Sequence, residues 1–176
     1  KLNVGLNFLA AKLKPQFSEI TTTLRMDENM TGAITSIGNP VFKPVRNTIS
    51  LKLSDGVLTY GTVNNSGKTV SFPSLGSNGL RTVTATPTTL IHNTVTNATL
   101  NFGTLQVDGE TKSNITISGL SIKPGHRYNL ILTLKTCTKE VLGNSGLDWS
   151  YPAVTRWVNF QQRTGIEING VFYPNG

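Results

Sequence analysis

The residues able to do chemistry in this chain are few and far apart. His92 and His126 are the two histidines, and Cys137 is the one cysteine. A histidine base needs a nucleophile within hydrogen-bond reach and a third group to orient its ring. His92 stands at a strand end and His126 in the turn from Pro124 to Arg127, and neither has a neighbouring serine and aspartate pattern. His126 is therefore read as a turn residue donating to a backbone carbonyl. Cys137, beside threonines, is read as an unpaired thiol near a strand end.

Four of the nine carboxylates pair up in two turns, Asp27-Glu28 and Asp108-x-Glu110. A calcium site needs several oxygen ligands together, and aspartate is favoured in turns for backbone hydrogen bonding alone. A glycosidase needs two carboxylates at a set separation, which these turns do not specify. There is no GxGxxG, no phosphate loop and no zinc spacing. No catalytic residue, metal ligand or cofactor site is assigned, and the chain is not expected to be an enzyme. Trp149, Tyr151 and Trp157, with Phe172 and Tyr173, are dense enough to form a stacking platform for a glycan. The competing reading is that they pack the end of the chain.

Sixteen lysines and arginines against nine acidic residues give a formal charge of +7. These cations are scattered singly, so they read as a solvated face, and no nucleic-acid partner is expected. One cysteine leaves no intrachain disulfide, and the fold must hold by packing. No run of 18 apolar residues occurs. A chain that begins at Lys1 without methionine is read as a processed or trimmed product, with room for an upstream signal that has been removed.

Positioning these residues falls to short strands. Threonine occurs 25 times, asparagine 17 and glycine 17, a composition of pleated surfaces joined by turns. The clearest order lies in Asn114 to Lys135. There Tyr128, Leu130, Leu132 and Leu134 alternate with Arg127, Asn129, Thr133 and Lys135, which predicts a central strand with the first set facing inward. Ile131 is an apolar exception on the outer face. Leu2, Val4, Leu6 and Phe8 also alternate, as do Ile49, Leu51 and Leu53 before the hairpin signal Asp55-Gly56. Ile166 to Ile168, Asn169-Gly170 and Val171 to Tyr173 have the form of a terminal hairpin.

Roughly eight or more strands with little or no helix predict an all-β fold, a two-sheet antiparallel β-sandwich in which each sheet turns one row inward. Residues 1–136 are expected to form the sandwich domain. Residues 137–176 are read as an aromatic-rich tail or the start of a second small β unit, loop-like from Thr136 to Gly146.

Four stretches then resemble, in the same order, the amino-terminal domain of the fimbrillin-like proteins of Bacteroides and Porphyromonas relatives, the major and minor fimbrial subunits. They are FLAAKLK (8–14), GAITSIGNPVF (32–42), LKLSDGVLTYG (51–61) and GLSIKPGHRYNLILTLK (119–135), and they span about 130 residues. The resemblance implies a transthyretin-like sandwich in a trimmed lipoprotein of the outer membrane and cell surface. Its membrane link would be a lipid anchor not present in this chain. It also implies a fimbrial structural or accessory subunit whose partners are other subunits, joined by strand insertion, with surface glycans or proteins as adhesion ligands.

Alternation at the chain ends makes two segments candidates for exchange: Leu2, Val4, Leu6 and Phe8, or Ile166, Ile168, Val171 and Phe172. The competing reading is that both complete this subunit's own core. Arg25 and Arg46, in or beside loop-like stretches, are read first as surface arginines and second as protease sites. The alternative function is carbohydrate binding through the tail aromatics.

Overall fold

The computed structural model describes residues 15–93, 95–142, 160–169 and 171–174. These form strands and turns, with no helix among the described residues. In chain order the strands are β1 (Ser18–Met26), β2 (Ile34–Gly38), β3 (Val41–Lys43), β4 (Val45–Arg46) and β5 (Ile49–Lys52). Then come β6 (Val57–Tyr60), β7 (Val63–Asn64), β8 (Lys68–Thr69), β9 (Thr82–Thr84) and β10 (Thr88–Leu90). The last are β11 (Val95–Val107), β12 (Glu110–Ile122), β13 (Arg127–Leu142), β14 (Phe160–Ile168) and β15 (Val171–Pro174).

One sheet has the order β10-β1-β13-β14-β15, with β9 also pairing β1; the other runs β12-β11-β3-β8, with β2 also on β11. Period-two burial explains why these segments pair. In β1, Ser18, Ile20, Thr22, Leu24 and Met26 are buried while the residues between them are not. In β13, Leu132 and Leu134 are buried as expected, and Ile131 points outward at 49% exposure. Facing rows from the two sheets, among them Leu24, Leu132 and Ile166 on one side and Phe42, Leu100 and Ile115 on the other, merge into one core. The all-β sandwich expected from the sequence is the fold observed.

Four details depart from expectation. First, β1 and β13 pair in parallel, from Glu19 opposite Arg127 to Met26 opposite Leu134, whereas antiparallel sheets were expected. A period of two is the same in both orientations, so the sequence pattern does not encode the difference. Second, Gly103, which in the sequence breaks the alternation of Ala98, Leu100 and Phe102 before Leu105 and Val107, does not end a strand. The β11 register with β12 continues past it, yet the buried set changes from Ala98, Leu100 and Phe102 to Leu105 and Val107.

Third, residues 136–142 are strand and not loop. The ladder runs from Leu134 opposite Ile168 to Leu142 opposite Phe160, so the boundary expected after residue 136 falls inside β13. Fourth, Phe42 and Val45, which flank Pro44 in a stretch that reads as a loop from sequence, lie in β3 and β4 and are buried in the core.

Candidate assembly surfaces

The structure gives His92 a serine partner that sequence spacing did not reveal. Its Nε2 lies 3.0 Å from the Ser18 hydroxyl, and its Nδ1 is 2.6 Å from the carbonyl oxygen of Asn93. The Ser18 hydroxyl in turn donates to the carbonyl of Lys123 at 2.6 Å. Both side chains are buried, so no substrate reaches the pair, and the serine proton is engaged by a carbonyl. The cluster ties the start of β1 to the β10-to-β11 connection and to the end of β12. His126 behaves as the turn chemistry predicts, donating from Nδ1 to the Pro124 carbonyl at 2.9 Å and stacking on Tyr128.

In the second acidic turn the Asp108 side chain packs against Gly32 and its backbone N–H donates to the Ala33 carbonyl at 2.9 Å. No group of three histidine, cysteine or acidic side chains placed to hold a metal occurs among the described residues. Asp27 instead orders its own turn. The backbone N–H of Asn29 donates to its Oδ1 at 3.0 Å and the Asn29 side-chain amide at 3.1 Å. These bonds, led by the backbone N–H, hold the Asp27 carboxyl below the usual carboxylate range, helped by Lys135 and Arg25. A polar cavity of about 280 Å³ lies beside it, lined by Asp27, Thr133, Lys135, Glu167 and Asn169. The Lys135 ammonium meets the Glu167 carboxylate at 2.8 Å there.

Of the two expected exchange segments, the terminal hairpin is described. β14 and β15 pair antiparallel, with Ile168 opposite Val171 and Asn169 at a φ of +47° in the turn. Ile166 and Ile168 are part of the core, whereas Val171 is 55% exposed and Phe172 partly so. In this subunit the hairpin fills its own sandwich. Tyr173, whose phenol burial pushes up in pKa, reaches the Thr116 carbonyl of β12 at 3.4 Å. Leu2, Val4, Leu6 and Phe8 lie outside the described residues, as do Trp149, Tyr151 and Trp157.

The arginines are not in loops. Arg25 sits within β1, between β9 and β13, with Nε donating to Thr133 Oγ1 at 3.0 Å. Arg46 is in β4, its Nη1 donating to the Gly61 carbonyl at 3.0 Å and its backbone N–H to the Ile91 carbonyl at 2.7 Å. A protease needs an extended, unpaired segment, so scission at Arg25 requires this part of the sheet to open.

One apolar row fails to meet the core. Residues 45–64 form a two-stranded arm, with Val45 opposite Asn64 at its root and β5 on β6 beyond. Ile49 faces Tyr60 and Leu51 faces Leu58, and directly opposed residues share a face. No residue from 49 to 60 is buried, Leu51 is 53% exposed and Leu53, at the turn, 90%. Sequence alternation identified the strand correctly, but it does not say which strands reach the core.

The chain is thus an all-β protein of sandwich type with an apolar arm standing off it. No protein-family model matches the chain, and no curated protein matches it. Among solved structures it is similar to a candidate cell adhesion protein of Bacteroides fragilis, at 15% sequence identity and a TM-score of 0.48. The likeness covers 93% of this chain and 48% of that protein, so the chain spans about half its length.

Proposed function

We propose that this chain is a structural or accessory subunit of bacterial surface fimbriae, exported and held at the outer membrane, that joins its neighbours by lending or accepting a terminal strand. The observation that carries this reading is that two core-filling side chains, Ile166 and Ile168, ride on a hairpin at the border of a sheet. Such an element is held by main-chain bonds while alternate side chains fill apolar pockets. A neighbour's identical hairpin fits the same place, which is the geometry of a swapped element. The four stretches that resemble fimbrillin-like proteins support the same conclusion. In this reading the transthyretin-like sandwich is a scaffold without a catalytic role, and adhesion to a surface glycan or protein is a secondary task.

The test compares the chain with and without Lys1 to Phe8 by size and crosslinking. If the first strand is a donor, the full chain gives a ladder of oligomers and the shortened chain does not. If it plugs its own subunit, the order reverses. Two strict monomers, with the full chain retained on a glycan array, would replace assembly by glycan recognition.

A further inference from the structure

We infer that a hydroxyl-lined track running past Ser71, with Lys43 and Lys68 at one end, binds an acidic oligosaccharide, one bearing uronic or sialic carboxylates. This gives the adhesive task proposed above a site. It rests on that part of the reading and not on the exchange of strands.

Two cavities make the track. One, of about 540 Å³, lies between β2 and the extended segment 70–76. The other, of about 590 Å³, opens where border strands of the two sheets, β8 and β10, come together. Each has the size of a small-molecule site. Ser71 lines both, so a ligand longer than one sugar ring can lie across the two.

The lining is that of a carbohydrate site more than of an apolar one. The hydroxyls of Ser36, Thr69, Ser71 and Thr89 line the track and make no hydrogen bond to another described residue. A hydroxyl both donates and accepts, so an array of them suits a ligand that is itself ringed with hydroxyls. Phe72, partly buried against the core, is the aromatic surface available to the carbon face of a sugar.

Charge selects the acid. Lys68 is the one ionisable residue in the lining of either cavity among the described residues, and the stem of Lys43 lies against Gly67 beside it. The pairing of Phe42 with Lys68 brings together two lysines that stand apart in the sequence. Neither ammonium has an acidic partner among the described residues. With no carboxylate in the lining to compete, this end attracts an anion and nothing there repels it, on a chain of formal charge +7. A nucleic acid would need a longer row of cations for its phosphates and more aromatic partners for its bases. Two lysines and one phenylalanine match a carboxylate carried on a carbohydrate.

The experiment places the full chain on an array of oligosaccharides carrying uronic or sialic acid, each beside its neutral parent. Retention on the acidic members is expected, about tenfold above the neutral ones and falling as salt is added. Lys43→Gln with Lys68→Gln is expected to abolish that preference. Lys112→Gln with Lys123→Gln removes the same charge on and just after β12, at the far border of that sheet, and is expected to leave the preference in place. Ser71→Trp, at an exposed position shared by both cavities, is expected to lower retention on every member while the circular dichroism spectrum stays unchanged. The inference is overturned by retention that does not distinguish acid from neutral parent, or by equal loss from the two lysine pairs. Acid-selective retention that survives the Ser71 and lysine changes also overturns it, and puts adhesion elsewhere on the chain. No retention on any member removes the adhesive task together with its site, while the ladder of oligomers reads strand exchange separately.

Discussion

Ser18 and His92 lie 74 positions apart and meet at 3.0 Å in the sealed interior. The serine hydroxyl bridges the imidazole and the Lys123 carbonyl, so one side chain satisfies polar groups from two other segments. Removing it leaves both without their partner. Ser18→Ala is expected to destabilise the protein by about 1–3 kcal/mol, the cost of buried polar groups left unpaired. Urea unfolding checks this, and a change under about 0.5 kcal/mol would mean the bridge is not formed.

Thr22, four residues on, presents the opposite case. Its hydroxyl is buried without a hydrogen-bond partner, so it bears a desolvation cost with no return. Thr22→Val keeps the branched shape and removes that cost, and is expected to raise stability by about 1 kcal/mol. A loss of stability in the same assay would show that the hydroxyl has a partner.

The terminal hairpin makes a paired prediction. Ile166 is fully buried and Val171 is 55% exposed, on adjoining strands. Ile166→Ala is expected to cost about 2–5 kcal/mol, as core truncations do, and Val171→Ala within about 0.5 kcal/mol. Equal effects would mean the hairpin does not belong to this subunit's core.

Acid should act through Asp27 and Asp55, whose carboxyls are both held below the ordinary aspartate range in the folded state. For Asp27 the main cause is the Asn29 backbone N–H, and for Asp55 the Lys52 ammonium. A depressed carboxyl contributes stability that is present above its unfolded value and lost as pH falls through the folded one. The wild type should therefore lose stability at acid pH, and the Asp27→Asn, Asp55→Asn double variant should lose less over the same range. Both groups are exposed, so the difference should be small. Denaturant midpoints measured from about pH 6 to about pH 2 would decide it; parallel acid limbs would sink it.

Much of the sandwich was legible because sidedness is written in single residues. Tyr128 to Leu134 alternate cleanly, and even the outward Ile131 was visible as an exception. Asp55-Gly56 and Asn169-Gly170 located two hairpins through their demand for positive φ. What was not legible depends on partners distant in sequence. The parallel direction of β1 and β13 leaves no local trace. The strand through residues 136–142 looks polar until β14 comes back to pair with it. Ser18 carries no sign that His92 awaits it, and Leu51 and Leu53 read as core residues because hydrophobicity reports a need for cover, not its source.

The parallel pairing of β1 with β13 also sets an order of events. Arg25 and Thr133, neighbours in that ladder, are 108 positions apart, so all of that intervening length must be synthesised before β1 can meet β13. Contacts of such span are entropically late and slow the approach to the native state. A chain emerging end first can therefore cover one side of β1 with β9 and β10 while its β13 side stays open, and an unprotected border is open to sticking to the wrong neighbour.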